Sequence, residues 1–560
     1  MSARHNLRNI PFFSDLGDDV LDAISRRLQR EHYHKNTTIF FEDAPGDCMY
    51  IIESGQVKVV SEKEGREKIF GYFGPGNFFG EMALLLGEKR SATARVVIDA
   101  DLLVLYKQDL EMLLNQYPSL AMMMTRELGR RLEHADREPE TKEAFNLVAV
   151  LGSAAPMLAR RLAQVTGEQV CLYDLGGLAN VTLDLAALAR AGVVLLHERH
   201  APSAEELPAR LGNLVEQFYW VLLSVAPYEA PRTLKAMELA DATVQFGAEE
   251  YAWIQPFASK AFWRSASGDV SICRTARRIA QRQVGLALSS GNARGFAHIG
   301  TLQVLQEEGI PIDMIAATSA GAVIGALFAA GRTIPELVDF AAHVRRQYNF
   351  FTGFRYWDFR LPPRSGLIKG DMILKYFRRW LLDKTFDDLA IPLYIVATDL
   401  ISGEEVVFDH GSVAEAVRAS MSVIGVLEPA RVSGRYLIDG GSVNPVPTQL
   451  LADKGVSIIL ASNVIPSLAD RLHRRELRRE GKLPNVMGIM MGAMEIMESG
   501  IIKTRMGPVD ILIQPDVARY GTFDYERANE LIQRGAEATR AQIPAIKQLI
   551  APRPRQSRRG

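Results

Sequence analysis

The sequence predicts a multidomain chain: an N-terminal β-roll with flanking helices, a middle α/β domain and a C-terminal α/β domain. Three observations predict it. Short β-rich runs punctuated by glycine and proline fill the first quarter, apolar strands alternating with helical stretches fill the second, and a further alternation of that kind begins near residue 284. A length of 560 residues also exceeds what one hydrophobic core organises.

The first element occupies residues 12–135. Apolar positions from Leu16 to Gln29 recur at helical spacing, and the runs TIFFE, CMYIIESG, QVKVV, KIFGYFG, TARVVI and LLVLYK follow. Gly46, Gly55, Gly74 and Gly76 separate several of them, the pattern of a small antiparallel roll. Helical stretches through DLEMLLNQY and SLAMMMTRELGRRLEHA close the unit, and the charged run 136–143 reads as a linker.

Residues 145–280 alternate apolar strands (NLVAVLG, QVCLYDL, GVVLLHE, WVLLSV, ATVQFG) with helices, which argues for a parallel α/β layer. This stretch holds no phosphate loop, metal cluster or nucleophile elbow, so it reads as a structural or coupling domain. Residues 284–545 repeat the strand, turn and helix order twice, in VGLALSSGNARGFAHIGTLQVLQEEG and IDMIAATSAGAVIGALFAAG, and add the buried strands PLYIVATDL and VSIILASN. The tail, 551–560, is basic and proline-containing and is expected to be disordered.

Lys plus Arg (65) nearly balance Asp plus Glu (66), so no global field points to nucleic acid. Cys48, Cys171 and Cys273 lack metal-ligand spacing and are expected as buried thiols in a reducing compartment, with no metal site. The first residues lack an apolar signal segment, and the uncharged stretch 314–331 is rich in Ala and Gly, too weakly hydrophobic to span a bilayer. The expected location is cytoplasmic.

Two constellations carry chemistry. In FFGEMALLLGEKRSATARV, Gly80 and Glu81 open a short helical turn, and Arg90 and Ser91 stand just before a strand. Helix-start amides and an arginine suit a phosphate, and a glutamate accepts from ribose hydroxyls. These residues resemble the phosphate-binding cassette of cyclic nucleotide-binding domains. The resemblance implies that Glu81 binds the ribose, Arg90 the cyclic phosphate, and Gly80, Ala83 and Ser91 nearby backbone or hydroxyl positions. Cyclic AMP or cyclic GMP is then the effector, and a degenerate domain with an empty pocket is the alternative. A transcription-factor reading fails, because no basic recognition helix follows residue 135.

The second constellation is AATSAG, where Ser319 sits at a turn between a strand and a helix of small residues, the layout of a nucleophile elbow. Ala317 replaces the first glycine of the usual GxSxG. The turn SSGNARGFAHIG (289–300) can aim successive amides at one anion. It lacks two glycines of a dinucleotide fingerprint, and no ribose-binding acid ends the next strand. Asp439 ends a strand in YLIDGGSVNPVP before two glycines.

Turn, serine and aspartate stand in the order of patatin-like phospholipases, and the likeness covers about residues 284–465. The order of domains resembles bacterial relatives of neuropathy target esterase. The resemblance implies a serine acylhydrolase of phospholipid or lysophospholipid esters without catalytic cofactor. Ser319 would be the nucleophile and Asp439 the general base, while Gly291, Asn292 and Ala293 would offer amides to the oxyanion with Arg294 beside them. Ser290 and Asn292 stand where that family has glycine. His298 and His410 are read as a packing residue and a solvated one.

A lipid substrate implies peripheral membrane contact, for which FFTGFRYWDFRLPPRSG (350–366) and RLHRRELRREGKLPNVMGIMMGAMEIM (471–497) combine basic with aromatic or methionine side chains. The rival reading is a cyclic nucleotide-responsive binding protein whose patatin domain does not hydrolyse. Oligomeric state is not readable from the sequence.

Overall fold

The computed structural model describes residues 17–63, 66–74, 77–117, 145–179, 181–197, 202–247, 249, 251–257, 261–347, 358–359, 365–467 and 486–552. The expected helix at 119–135, the linker 136–143, most of the 350–366 segment, the basic run 471–482 and the tail beyond Pro552 lie outside these residues. The described chain forms two compact units, one up to Ala280 with Pro552 and one from Gln281 to Ala551.

The first unit starts with α1 (Asp18–Ser25) and an antiparallel roll of β1 (Gln29–Tyr33), β2 (Thr38–Phe40), β3 (Cys48–Lys63), β4 (Arg66–Phe73), β5 (Phe78–Phe79) and β6 (Thr93–Tyr106). The turn helix α2 (Glu81–Leu86) precedes β6, and α3 (Lys107–Gln116) follows it. The sequence suggests two strands on either side of Gly55, whereas the structure runs them together as β3. Gly55 has φ +88° and the pairing with β6 shifts register around it, so the glycine makes a bulge instead of ending the strand.

The rest of this unit is a parallel sheet in the order β12-β11-β7-β10-β8-β9. Its elements are β7 (Leu147–Leu151), α4 (Ala155–Thr166), β8 (Val170–Leu175), α5 (Leu185–Arg190), β9 (Val193–Leu196), α6 (Leu207–Gln217), β10 (Trp220–Val225), α7 (Pro231–Leu239), β11 (Ala242–Phe246), β12 (Ala261–Ser265) and α8 (Asp269–Ile279). Alternate residues of β8 and β10 enter two separate cores, Leu172 and Leu222 on one face, Tyr173 and Leu223 on the other. A sheet covered on both faces explains why these strands read as continuous apolar runs.

The second unit is built on an eight-stranded sheet ordered β17-β18-β15-β14-β13-β19-β20, with β16 paired to β15. In chain order its elements are β13 (Val284–Leu288), α9 (Ala297–Glu307), β14 (Met314–Thr318), α10 (Ala320–Ala329), α11 (Ile334–Gln347), α12 (Asp371–Leu381), β15 (Leu393–Asp399), β16 (Glu405–Phe408), α13 (Val413–Ser420), β17 (Ala430–Val432), β18 (Arg435–Asp439), α14 (Thr448–Asp453), β19 (Ile458–Ser462), α15 (Val486–Arg505), β20 (Ile511–Ile513) and α16 (Ala528–Ile550). Strand β15 lies between β14 and β18, with Val396 beside Thr318 and Ala397 beside Asp439. That register brings the ends of β14 and β18 to one place. Gly321 is required there, because a Cβ would meet the carbonyl oxygens of Leu288 and Ser289.

Of the three cysteines, Cys48 and Cys171 are buried as expected, whereas Cys273 is half-buried. It lies on the partly exposed surface of the amphipathic α8.

Candidate active site and effector pocket

The fully buried β14 carries small residues into a turn that tightens at Ser319, with φ 53° and ψ −115°. A non-glycine residue there costs on the order of 1–3 kcal/mol and must be held by its surroundings. The Ser319 N–H donates to Ser420 Oγ (2.8 Å), whose hydroxyl donates to the Val396 carbonyl (2.6 Å). Thr318 Oγ1 donates to the Asn444 carbonyl at 2.8 Å, and the Gly321 amide to the Ser289 carbonyl at 3.1 Å. Ala317 is fully buried with φ outside the left-handed region, so this position does not need glycine.

Ser319 Oγ donates to Asp439 Oδ2 at 2.5 Å, across 120 positions of sequence. The Gly441 amide donates to Asp439 Oδ1 at 2.8 Å. Both Ser319 and Asp439 are 3 % exposed. Burial pushes the Asp439 carboxyl up to about 6, and its two hydrogen bonds oppose that rise.

In the 289–296 turn Gly291 has φ 156° and Asn292 φ 51°, whereas Ser290 stays outside the left-handed region. Asparagine tolerates that region better than most residues. The Ser290 amide donates to the Pro445 carbonyl and its hydroxyl to Glu498 Oε1 (2.5 Å). Two expected oxyanion groups are committed elsewhere. The Ala293 amide donates to the Thr522 carbonyl (3.2 Å), while the Arg294 guanidinium pairs with Glu495 (2.8 Å) and donates to the Tyr520 carbonyl (3.0 Å). Arg294 is 1 % exposed and so braces the interior.

Asn292, Ser319 and Ala320 line a cavity of about 220 Å³ whose other walls include Val323, Ile324, Phe340, Tyr376, Phe377 and Met421. Ala320, which the sequence reading does not single out, opens α10 directly after Ser319, at the position whose amide faces an oxyanion in a nucleophile elbow. Glu495 and Glu498 had no such signal, since no local motif marks them.

Neither histidine touches the Ser319–Asp439 pair. His298 is fully buried, with Nδ1 2.9 Å from Ser462 Oγ and Nε2 3.0 Å from the Ser289 carbonyl. Burial lowers it to about 4, so it stays neutral. His410 is exposed beside Asp409.

In the roll, Gly80, Ala83 and Arg90 come together, and Glu81 is buried at the start of α2. Arg90 Nη1 donates to the Gly80 carbonyl (2.8 Å), and a Cβ on Gly46 would stand 2.5 Å from Ala83 Cβ and 3.2 Å from Arg90 Nε. Ser91 is exposed, whereas Glu81, Ala83 and Arg90 are buried. The Arg90 guanidinium lies 4.1 Å from the Phe40 ring centroid, and Phe40, Tyr50 and Phe79 pack together around it, a cluster the sequence reading missed. Arg90 Nε is buried without a hydrogen-bond partner among the described residues, which suits an anionic ligand.

His32, His34 and Asp99 form one group of possible metal ligands among the described residues. Asp99 already accepts from Lys235 Nζ and from the Lys35 amide, both at 2.7 Å, so an ammonium occupies the place of a cation.

Comparison with known proteins matches two stretches of the chain. The family model "Patatin-like phospholipase" matches residues 286–452 and "Cyclic nucleotide-binding domain" matches residues 30–117. An uncharacterised NTE family protein of Mycobacterium tuberculosis is 26 % identical over 589 residues, covering 98 % of this chain and 97 % of the relative. Patatin-like phospholipase domain-containing protein 6 of Mus musculus is 25 % identical over 552 residues, covering 83 % of this chain and 40 % of that protein. Among solved structures, the Thermus thermophilus catabolite activator protein is 31 % identical, covering 28 % of this chain and 68 % of that chain with a TM-score of 0.22.

Proposed function

Given that this chain carries a patatin-like phospholipase domain behind an N-terminal cyclic nucleotide-binding domain, we propose that it is a serine acylhydrolase of phospholipid or lysophospholipid esters working through Ser319 and Asp439. The observation that carries the reading is the 2.5 Å hydrogen bond from Ser319 Oγ to a buried carboxylate beside an apolar cavity.

Asp439 takes the hydroxyl proton as Ser319 Oγ attacks the ester carbonyl, and the amides of Gly291, Asn292 and Ala320 receive the oxyanion. As the tetrahedral intermediate collapses, Asp439 returns the proton to the leaving alkoxide, and the acyl group stays on Ser319. Asp439 then deprotonates a water that attacks the acyl-enzyme, and the proton goes back to Ser319 as the fatty acid departs. The cavity walls suit an acyl chain. No histidine is needed, because a buried carboxyl near 6 is a stronger base than an ordinary aspartate.

Peripheral membrane contact belongs to the same proposal. On α15, Val486, Ile489, Ile496 and Met497 are exposed, while Glu495 and Glu498 point inward, the reverse of a solvent-facing helix. Among the described residues no helix is long and apolar enough to cross a membrane. We place the enzyme at the inner face of the cytoplasmic membrane, with cyclic AMP or cyclic GMP binding at Arg90 and Glu81 as its control. Such control requires the ligand to bind two enzyme states unequally.

A fluorophosphonate probe tests the chemistry. Labelling and lysophospholipid hydrolysis by the wild type, both lost in Ser319→Ala, are expected. An unlabelled wild type with and without cyclic nucleotide would favour a binding protein with an inactive hydrolase domain. Equal hydrolysis rates with and without saturating cyclic AMP or cyclic GMP would reject the control.

A further inference from the structure

The two catalytic turns share a support that lies more than 50 residues beyond either. Helix α15 presents Glu495 and Glu498, one helical turn apart, to the interior. Glu495 pairs with Arg294 at 2.8 Å and accepts from Thr522 Oγ1 at 2.7 Å. Glu498 accepts from Ser290 Oγ at 2.5 Å, immediately before the Gly291 and Asn292 amides. Glu498 also abuts the aspartate turn. A Cβ built on Gly441 would collide with Glu498 Oε1 and stand 3.1 Å from both Asp439 Oδ1 and Ser290 Oγ. Three polar side chains from three segments thus converge on one glycine.

We infer that Glu498 is a positioning residue of the hydrolytic reaction, fixing the oxyanion turn through Ser290 and abutting the Asp439 turn at Gly441. The inference rests on the acylhydrolase reading above. Ser290, standing where the patatin resemblance implies glycine, acquires a purpose: its hydroxyl is the handle by which α15 holds the turn.

The state of Glu498 follows from its neighbours. The charged groups facing it are Asp439 from the aspartate turn, Arg294 from the oxyanion turn and Glu495 from its own helix. Arg294 is already paired with Glu495, which leaves Glu498 and Asp439 as two carboxyls in one dry site, where only one ionises readily. Asp439 accepts two hydrogen bonds and Glu498 one, so Asp439 takes the charge. Burial first, and then Asp439, push Glu498 up to about 8. A neutral Glu498 places no negative charge behind the developing oxyanion. Its ionisation would oppose that oxyanion, and activity falls as pH rises through that value.

The experiment measures kcat and KM for a soluble p-nitrophenyl ester between pH 5 and 9.5, in the full-length wild type and in Glu498→Gln, Glu498→Ala and Ser290→Ala, together with fluorophosphonate labelling. The wild type should show a bell with limbs near 6 and 8. Glu498→Gln, which keeps the shape and the acceptor, should retain kcat within about 3-fold at pH 7 and lose the alkaline limb. Glu498→Ala and Ser290→Ala should lower kcat by about 10–100-fold at nearly constant KM, the effect of a misplaced turn. An unchanged alkaline limb in Glu498→Gln overturns the inference while leaving the Ser319–Asp439 dyad standing, as does full kcat in Ser290→Ala. A wild type that neither hydrolyses nor labels sinks the acylhydrolase reading itself. The isosteric Gln variant keeps the test decisive should Glu498→Ala fail to fold.

Discussion

Replacing Asp439 with Asn separates what the buried carboxyl does for the reaction from what it does to the fold. Its folded value is raised from 3.8 to about 6, so at neutral pH the folded state holds an ionised group that burial disfavours. A carboxyl raised by that much withdraws about 3 kcal/mol of stability. The withdrawal is absent below the unfolded value, grows as pH rises through the interval, and is complete above about 6. Asn removes the titration and can keep the Gly441 amide on its oxygen while its NH₂ faces Ser319 Oγ. Allowing for weaker, uncharged hydrogen bonds, Asp439→Asn should gain about 1–3 kcal/mol at pH 7.5, a rise on the order of 5 °C in the melting transition of its unit. Near pH 4 the gain should vanish. The same variant should lose about 10²–10⁴-fold in kcat, because it cannot take the Ser319 proton. Scanning calorimetry at the two pH values, beside ester hydrolysis, reads both effects. A variant that melts lower than wild type at pH 7.5, or that still hydrolyses at the wild-type rate, would refute the assignment.

Other substitutions probe the surrounding geometry. Gly321→Ala pushes a methyl group against the Leu288 and Ser289 carbonyls; it should cost about 1–3 kcal/mol in chemical denaturation and slow labelling of Ser319. His298→Ala strands Ser462 and Ser289 groups and should destabilise the fold by about 1–3 kcal/mol, yet fluorophosphonate labelling and the shape of the pH profile should persist. A histidine that served as general base would abolish labelling instead. Arg90→Ala should weaken binding of a fluorescent cyclic nucleotide by at least about 10-fold, the worth of one charge-assisted contact, and titration calorimetry gives the comparison.

Local pattern carried much of the architecture. The alternation of β8 and β10 residues between two cores, and the buried small residues of β14, are direct consequences of side-chain periodicity and are legible without coordinates. Gly55 was misleading because glycine both ends strands and bulges them, and the choice depends on whether the partner strand continues past it. The motif position of Arg294 implies a place beside the oxyanion, but its charge follows Glu495, far along the chain. Cys273 shows the same limit at small scale, since the exposure of one helix position depends on what packs over it.

Most of the alternation of strands and helices, the tight turn at Ser319 and the acidic end of β18 are written in local sequence, because each depends on backbone preferences within a few residues. Tertiary structure alone decided that Asp439 lies across β15 from Ser319, that the Ala293 amide and Arg294 face inward, and that Glu498 stands behind both turns. Hydrogen bonds spanning 120 and 208 positions leave no mark on local composition. They arise from sheet register and helix packing, and the same packing removes the water that would otherwise keep these carboxyls at their ordinary acidity.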